Sequence, residues 1–530
     1  MNYLVELDAL NGAGQPETLR YSDHGLTTRP NDAPPNTAYD PYVRDPGNIE
    51  RHLFSDGRTF GAVSVGVGVA RLVSVDGSLD HLRDYAFDGR AIRIYALTSI
   101  DASFATRRLL LEGTIAQTEF QDSDFVITVR DWLEALRSPL QTLVYAGTTT
   151  TGGMGEAEGG EDLKDKTKPM LFGGPMRGIP AVLANAFDLV YDVSAGAIAA
   201  VHGVFDQNVA LQFTRDYATV AALVAAKHEP GQYATCLAFG KVRLFSNPVG
   251  LVTVDASEGA TVAARTAGQI VRRMLLKAGM VDGTDFYSAD CAALDAVAPY
   301  ECAVWFGPDG ARPTIDQPGQ KQTGTTALAA VSFVLGSVRG SISPDFSGAY
   351  RIRQFAAPDA AKAKGIIDED ETPGLDELDI DAPSDQSDGL PTKRVTIRYA
   401  QNLAVAGSND VNVNTTPERR AFATQEWRQT TAASAATAQR HQLAHEMVRD
   451  TALVRLADAQ READAVLALY STPRIVLREK IPTADIGDYD LSDVVIFRAD
   501  RFGLEQGRAF VVIGRTDEFE PGHTTLTLWG

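Results

Sequence analysis

His441 and His445 stand four residues apart in His441-Gln442-Leu443-Ala444-His445, the spacing at which one helix face can grip a metal ion. A zinc protease would carry its general-base Glu where this chain has Gln442, so the pair is expected on a solvated helix face. Gly147-Thr148-Thr149-Thr150-Thr151-Gly152-Gly153-Met154-Gly155 has the glycine content of a phosphate-cradling loop. It lacks the Lys-Ser/Thr pair that would reach phosphate and magnesium, and a mobile surface loop is expected. Asp368, Asp370 and Thr372 alternate as calcium ligands do in an EF-hand, but Gly374 falls one place late and Asp379 stands where a longer Glu is needed. Cys236, Cys291 and Cys302 are too few and too irregularly spaced for a disulfide framework or a zinc site, and buried free thiols are expected.

The remaining catalytic options are thin. With 69 acidic residues a carboxylate pair can always be found, but nothing sets two of them at the separation glycoside hydrolysis needs. No Gly-x-Ser-x-Gly elbow occurs, and no His partner for the thiols is evident. The expectation is a non-enzyme with no catalytic residues, no bound cofactor and no metal site.

The elements that would position any site follow from composition and pattern. A chain of 530 residues is long enough for several domains with real cores. Its net charge of -20 argues against a stable grip on nucleic acid, since phosphate affinity comes from clustered Lys and Arg. DNA could still pass along an acidic wall without sticking. Met1-Asn2-Tyr3-Leu4-Val5-Glu6-Leu7 reads as a first strand rather than a secretory signal, and no apolar run approaches the ~20 residues of a membrane span.

Residues 1–145 read as all-β, with strands expected at Tyr3 to Leu7, Ala62 to Val73, Ile92 to Leu97, Leu109 to Phe120 and Phe125 to Val129, then a helical turn from Trp132 to Leu136. A glycine-rich loop occupies 146–162. The region 163–356 mixes strands and helices. Gly240 to Phe245 and Leu251 to Asp255 are expected to pair as a hairpin around Pro248. Ile270, Val271, Met274, Leu275 and Ala278 share a helix face that Gly279 ends, and a second apolar helix is expected from Ala327 to Leu335.

Residues 357–392 form an acidic linker or an extended crossing strand: Asp368 to Asp388 holds ten acidic residues, no Lys or Arg, and Pro373 and Pro383. The segment 393–530 restarts with a strand at Arg394 to Tyr399. Thr416-Pro417 then caps a helical insertion running over about 416–470, which Thr472-Pro473 stops.

The two ends of the chain look alike. Thr118 to Asp131 lies over Asp517 to Gly530 without a gap, each a strand, a polar turn and a second strand. Asp88 to Ala96 likewise matches Leu491 to Ala499, with a connection four residues longer in the first copy. A duplicated β module lets a trimer present six similar modules, which is a structural reason for duplication.

The order of several motifs resembles the tail hub proteins of tailed bacteriophages and related gene-transfer particles. These are Phe87-Asp88-Gly89-Arg90, Leu163 to Gly173, Phe205 to Leu211, Gly240 to Leu244 with Pro248-Val249-Gly250, and Gly507 to Ile513 through Leu526 to Gly530. Met176-Arg177-Gly178-Ile179-Pro180 departs from the pattern, which places an Asn ahead of the apolar-Pro step. The resemblance covers nearly the whole chain. It implies a mainly β fold with an α+β middle region and two related β-barrel modules near the chain ends, joined through the mixed region, the acidic linker and the helical insertion. It also implies a structural virion protein at the distal end of the tail, made in the host cytoplasm. That protein would be a homotrimer joining the sixfold tail tube or distal tail protein to a threefold central fibre or spike. The same ring would line or close the exit channel, meeting the tape-measure protein and, transiently, DNA, with no stable membrane insertion. A tail-associated cell-wall hydrolase and a receptor-binding tail protein are the alternatives.

Overall fold

The computed structural model describes residues 1–54, 63–130, 132–308, 325–369, 380–381, 390–407, 411–483, 489–519 and 522–530. The EF-hand positions Asp370, Thr372, Gly374 and Asp379, the linker prolines, and Asp131, Glu520 and Pro521 of the matched hairpins lie outside these residues.

The fold is mainly β. Near the N-terminus, alternating sequences form a seven-stranded sheet in the order Pro16–Ser22, Asn2–Leu10, Ala91–Leu97, Arg108–Phe120, Asp124–Val129, Val69–Val73, Val43–Asp45. Ile92, Ile94, Phe125, Ile127 and Val129 all point into its core, as a two-residue period requires. Near the C-terminus, the strands Ala363–Asp368, Val494–Arg498, Arg508–Glu518, His523–Trp529, Val476–Pro482 and Ile380–Asp381 follow one another in a second sheet.

The two sheets share a strand plan. In the first, Val69–Val73, Ala91–Leu97, Arg108–Phe120 and Asp124–Val129 lie in the spatial order second, third, fourth, first. Val476–Pro482, Val494–Arg498, Arg508–Glu518 and His523–Trp529 repeat that order with the same antiparallel pairings. Register differs in detail. Thr118 pairs with Ile127, whereas its counterpart Asp517 pairs with Thr524, two places short of the counterpart of Ile127. A two-residue shift preserves the buried face, so Leu526 and Leu528 point inward as Ile127 and Val129 do. Beyond the four shared strands the sheets diverge: Ala91–Leu97 has Asn2–Leu10 antiparallel beside it, and Val494–Arg498 has Ala363–Asp368 parallel.

One strand ties the two ends together. Asn48–His52 leaves the N-terminal sheet and pairs antiparallel with Gly514 to Glu518, with Ser64–Val67 on its other side. Arg51, fully buried, lies opposite Arg515 in this register. Arg51 Nη1 reaches Asp490 at 2.9 Å and donates to Pro344 O at 3.1 Å, while Phe346 is stacked by both guanidinium groups.

The middle region holds a four-stranded sheet (Met176–Pro180, Val252–Ser257, Ala200–Asp206, Val209–Ala210) and a five-stranded one (Val182–Asn185, Val190–Asp192, Lys241–Leu244, Gln232–Cys236, Gln212–Asp216). The hairpin expected between Gly240 to Phe245 and Leu251 to Asp255 does not form, because Lys241–Leu244 and Val252–Ser257 belong to different sheets. The turn at Pro248 crosses between them, held by Asp206, whose carboxylate accepts from Val249 N and Gly250 N at 2.8 Å each. The helix Ala267–Lys277 buries Ile270, Val271, Met274 and Leu275 against Ala327–Gly336, as the periodicity predicted, and Gly279 ends it at φ +89°.

Two further expectations change. The glycine-rich segment is a pinned loop: Gly147 N bonds Glu158 O, Thr149 N bonds Gly159 O, and Gly153 N donates to Asp188 Oδ2 at 2.7 Å. The interval 416–470 is not continuously helical. It contains the helices Pro417–Ala423, Ala435–Arg440 and Leu456–Tyr470, with the strands Arg428–Ala433 and His445–Asp450 between them. Those strands flank Thr392–Tyr399 in a three-stranded sheet.

Candidate functional site

The residues that sequence reasoning considered for chemistry are scattered. His441 is the C-terminal cap of the helix Ala435–Arg440 and His445 begins the next strand, so the two do not share a helix face. Cys236, Cys291 and Cys302 are free and buried. Burial, with help from nearby Asp295, pushes the Cys291 thiol up to about 12, and burial also raises Cys236 and Cys302. Thiols held in that form are poor nucleophiles. Asp368 ends a strand and accepts from Arg498 Nη1 at 3.1 Å, its neighbour in register. Among the described residues no group of three or more His, Cys, Asp or Glu is placed to hold a metal ion.

Sequence reasoning missed a set of buried ion pairs, each joining segments distant in the chain. Asp192, wholly buried, accepts from Lys241 Nζ at 2.5 Å and Tyr145 Oη at 2.9 Å. Burial raises its pKa, against the pull of Lys241. Glu462 is raised by burial likewise and opposed by Arg339, whose Nε lies 3.1 Å away. Glu301 is held between Arg265 and Arg455. Asp255 receives Arg419 from the helix Pro417–Ala423, which docks that helix on the four-stranded sheet. Thr416 caps this helix by accepting from Arg419 N, as Thr416-Pro417 predicted. Each such carboxylate is paired with a cation, which is the arrangement of a structural fastener rather than of an acid–base pair left poised for substrate.

The three-stranded sheet presents a different kind of surface. One face carries Val395, Ile397, Ala432 and Met447 onto the helix Leu456–Tyr470. On the opposite face Thr396 is half-buried and Arg394 is exposed. The cross-strand rows of that face run Thr431, Thr396, Val448 and Gln429, Arg398, Asp450. Val448 is 53% exposed and Arg398 Nη1 reaches Asp450 at 3.3 Å. At the end of this face, Arg398, Gln425, Glu426, Trp427 and Gln429 line an open cleft of about 540 Å³. Gln401 Nε2 holds one Glu426 carboxylate oxygen at 3.0 Å. In the preceding helix, Phe422 is flanked by the guanidinium groups of Arg177, Arg419 and Arg428. Burial, with the positive charges of Arg177 and Arg419 beside it, brings Arg428 down to about 10.

No protein-family model and no curated protein matches the chain. Solved structures similar to it include phage tail and baseplate proteins. A tail protein from Neisseria meningitidis MC58 is 10% identical with a TM-score of 0.38, covering 100% of this chain and 96% of its own. Prophage tail protein gp18 from Listeria monocytogenes EGD-e is 9% identical with a TM-score of 0.39, covering 100% and 94%. A chain of the native gene transfer agent virion is 14% identical with a TM-score of 0.38, covering 69% and 84%. Likeness of this size leaves the function to be argued from the chain's own residues.

Proposed function

We propose that this protein is a structural component of a phage-type tail, the hub at the distal end of the tail, assembled as a homotrimer. The observation that carries the reading is the strand order repeated near the two ends of one chain. Two like modules per subunit become six like positions around a threefold axis, and that lets one ring meet a sixfold tube on one side and a threefold fibre or spike on the other. The modules are the barrel-type walls of the ring, drawn from 1–145 and 393–530, with 163–356 between them and 357–392 crossing. Asn48–His52, paired with Gly514 to Glu518, locks the two modules of a subunit into one body. The sequence motifs point to the same family.

On this reading the partners are two further copies of the chain, the distal tail protein and tube, the tape-measure protein, and the central fibre or spike. The net charge of -20 suits a channel wall that DNA passes without adhering. No enzymatic activity is assigned: the buried carboxylates above are consumed by ion pairs. Native mass spectrometry over a concentration series, with negative-stain averages, tests the proposal. A threefold ring with a central hole is expected. A single copy at every concentration, also with the purified distal tail protein added, would overturn it. Release of soluble fragments from peptidoglycan by the pure protein would favour a cell-wall hydrolase instead.

A further inference from the structure

We propose that the cleft at Trp427 binds a neutral oligosaccharide. This goes beyond the assembly role and stands or falls separately from it. The cleft has the volume of a small-molecule site, about 540 Å³. Its lining selects among ligand classes. Arg398 and Glu426 contribute one charge of each sign, and Arg398 is already paired with Asp450 at 3.3 Å. Such a wall offers no positive surplus to a phosphate or sulfate. Only one side chain of the lining, Trp427, is an apolar ring, too little to hold a lipid tail. What remains is an indole surrounded by two primary amides, a carboxylate and a guanidinium, every one of them planar and able to hydrogen-bond.

That combination matches a pyranose. A sugar ring presents a face of C–H bonds that lies against an aromatic ring and a rim of hydroxyl groups that both donate and accept. Gln425, Gln429 and Glu426 supply acceptors, and the amides with Arg398 supply donors. The backbone that carries these groups is held by the fold, and one of the side chains is fixed as well. Gln429 and Arg398 are cross-strand partners in a sheet, Glu426 O accepts from Asn402 N at 2.7 Å, and Gln401 Nε2 fixes the Glu426 side chain. The sheet face leading away from the cleft carries Thr396, Thr431 and the exposed Val448, so a chain of sugars longer than the cleft has a surface to follow.

The full-length protein is titrated with maltohexaose, with chitohexaose and with heparin, and displayed on a microarray of bacterial surface glycans, following intrinsic fluorescence and calorimetry. Trp305 and Trp529 are buried and the Trp132 indole donates to Glu112 O, so a change on binding reports chiefly Trp427. The expected result is saturable binding of at least one neutral glycan, insensitive to salt. Trp427→Ala should weaken it at least ~10-fold and Gln429→Ala several-fold, with unchanged melting curves for both variants. No binding of any neutral glycan would overturn the proposal. So would binding of heparin alone with a steep salt dependence, or wild-type affinity in Trp427→Ala. Binding to whole cells that is lost once their surface polysaccharide is stripped separates a displayed glycan from a free one.

Discussion

Arg419 and Asp255 are 164 residues apart in sequence, yet Arg419 Nη1 lies 2.9 Å from both oxygens of the Asp255 carboxylate. The same guanidinium bonds Thr253 Oγ1 at 3.0 Å and Asn208 Oδ1 at 3.3 Å, and stacks 3.7 Å from the centre of the Phe205 ring. One side chain thereby fixes the helix Pro417–Ala423 on the middle region's four-stranded sheet. It positions the segment from which Gln425, Glu426 and Trp427 emerge.

Breaking this pair from one side should be expensive. Arg419→Met leaves Asp255 buried with the more distant Arg177, at 3.5 Å, and the Gly178 N–H, at 2.8 Å, as its remaining partners among the described residues. The cost expected is ~3–5 kcal/mol, read as a lowered urea midpoint. Adding Asp255→Asn to that variant should restore part of the loss, because the uncompensated charge is gone. A double variant less stable than the single one by the full cost of Asp255→Asn would show that the two residues act independently.

Much of the strand framework was legible because its faces alternate: Ile92 and Ile94, or Phe125 and Ile127, announce a half-buried strand. The likeness between the chain ends was legible for the same reason, although the gapless match hid a two-residue shift of register. Arg428–Ala433 and His445–Asp450 were not legible. Their Ala, Arg and Glu content favours helix, and only the central strand Thr392–Tyr399, which supplies partners on both sides, turns them into strands. Asn48–His52 gave no signal either. Its buried side chains include Arg51 and His52, and its partner strand, Arg508–Glu518, belongs to the chain's other module. The cleft at Trp427 depends on that three-stranded sheet, so it could not be found before the strands were.

Gly240 should be far less replaceable than Gly279, another left-handed glycine of the middle region. Its φ is +60°, and an added Cβ would stand 2.2 Å from Ser194 O and 2.7 Å from Gly196 O, both backbone atoms. Gly279, at φ +89°, has nothing within 4 Å of that position. Gly279→Ala should therefore cost only the conformational penalty, ~1–2 kcal/mol. Gly240→Ala must also displace backbone and should lower the melting temperature more. Equal shifts for the two would remove the clash from the explanation.

Acid should act through Asp517. Burial pushes this carboxyl up, but the charge of Arg515, bonds from Arg515 at 2.9 Å and a bond from Thr524 Oγ1 at 2.7 Å outweigh it and hold the pKa below the ordinary value. A carboxyl depressed in the folded state contributes stability that is fully present above its unfolded pKa and is lost as pH falls through the folded one. Melting temperature should drop below about pH 4, and Asp517→Asn should flatten that limb while lowering stability at neutral pH. Asp192 and Glu462 have the opposite sign: raised by burial, they favour the folded state as acid neutralises them. A limb as steep in Asp517→Asn as in the wild type would assign acid sensitivity elsewhere.

The crossing strand makes a prediction about dissection. Asn48–His52 sits between Arg508–Glu518 and Ser64–Val67, so a cut in the glycine-rich loop should not release the N-terminal sheet. Residues 1–152 and 153–530, co-expressed as separate chains, should elute together from size exclusion, held by this strand, the Arg51–Asp490 contact and the bond from Tyr350 Oη to Trp132 O. Proline removes an N–H from a strand paired on both sides and is poorly tolerated there. Glu50→Pro in the shorter chain should therefore weaken the complex or leave that chain insoluble, while Glu17→Pro, at the sheet's outer edge, should leave it intact. Two separately folded fragments from the unaltered sequence would mean that the N-terminal sheet is independent and that the crossing strand only rests on its neighbour.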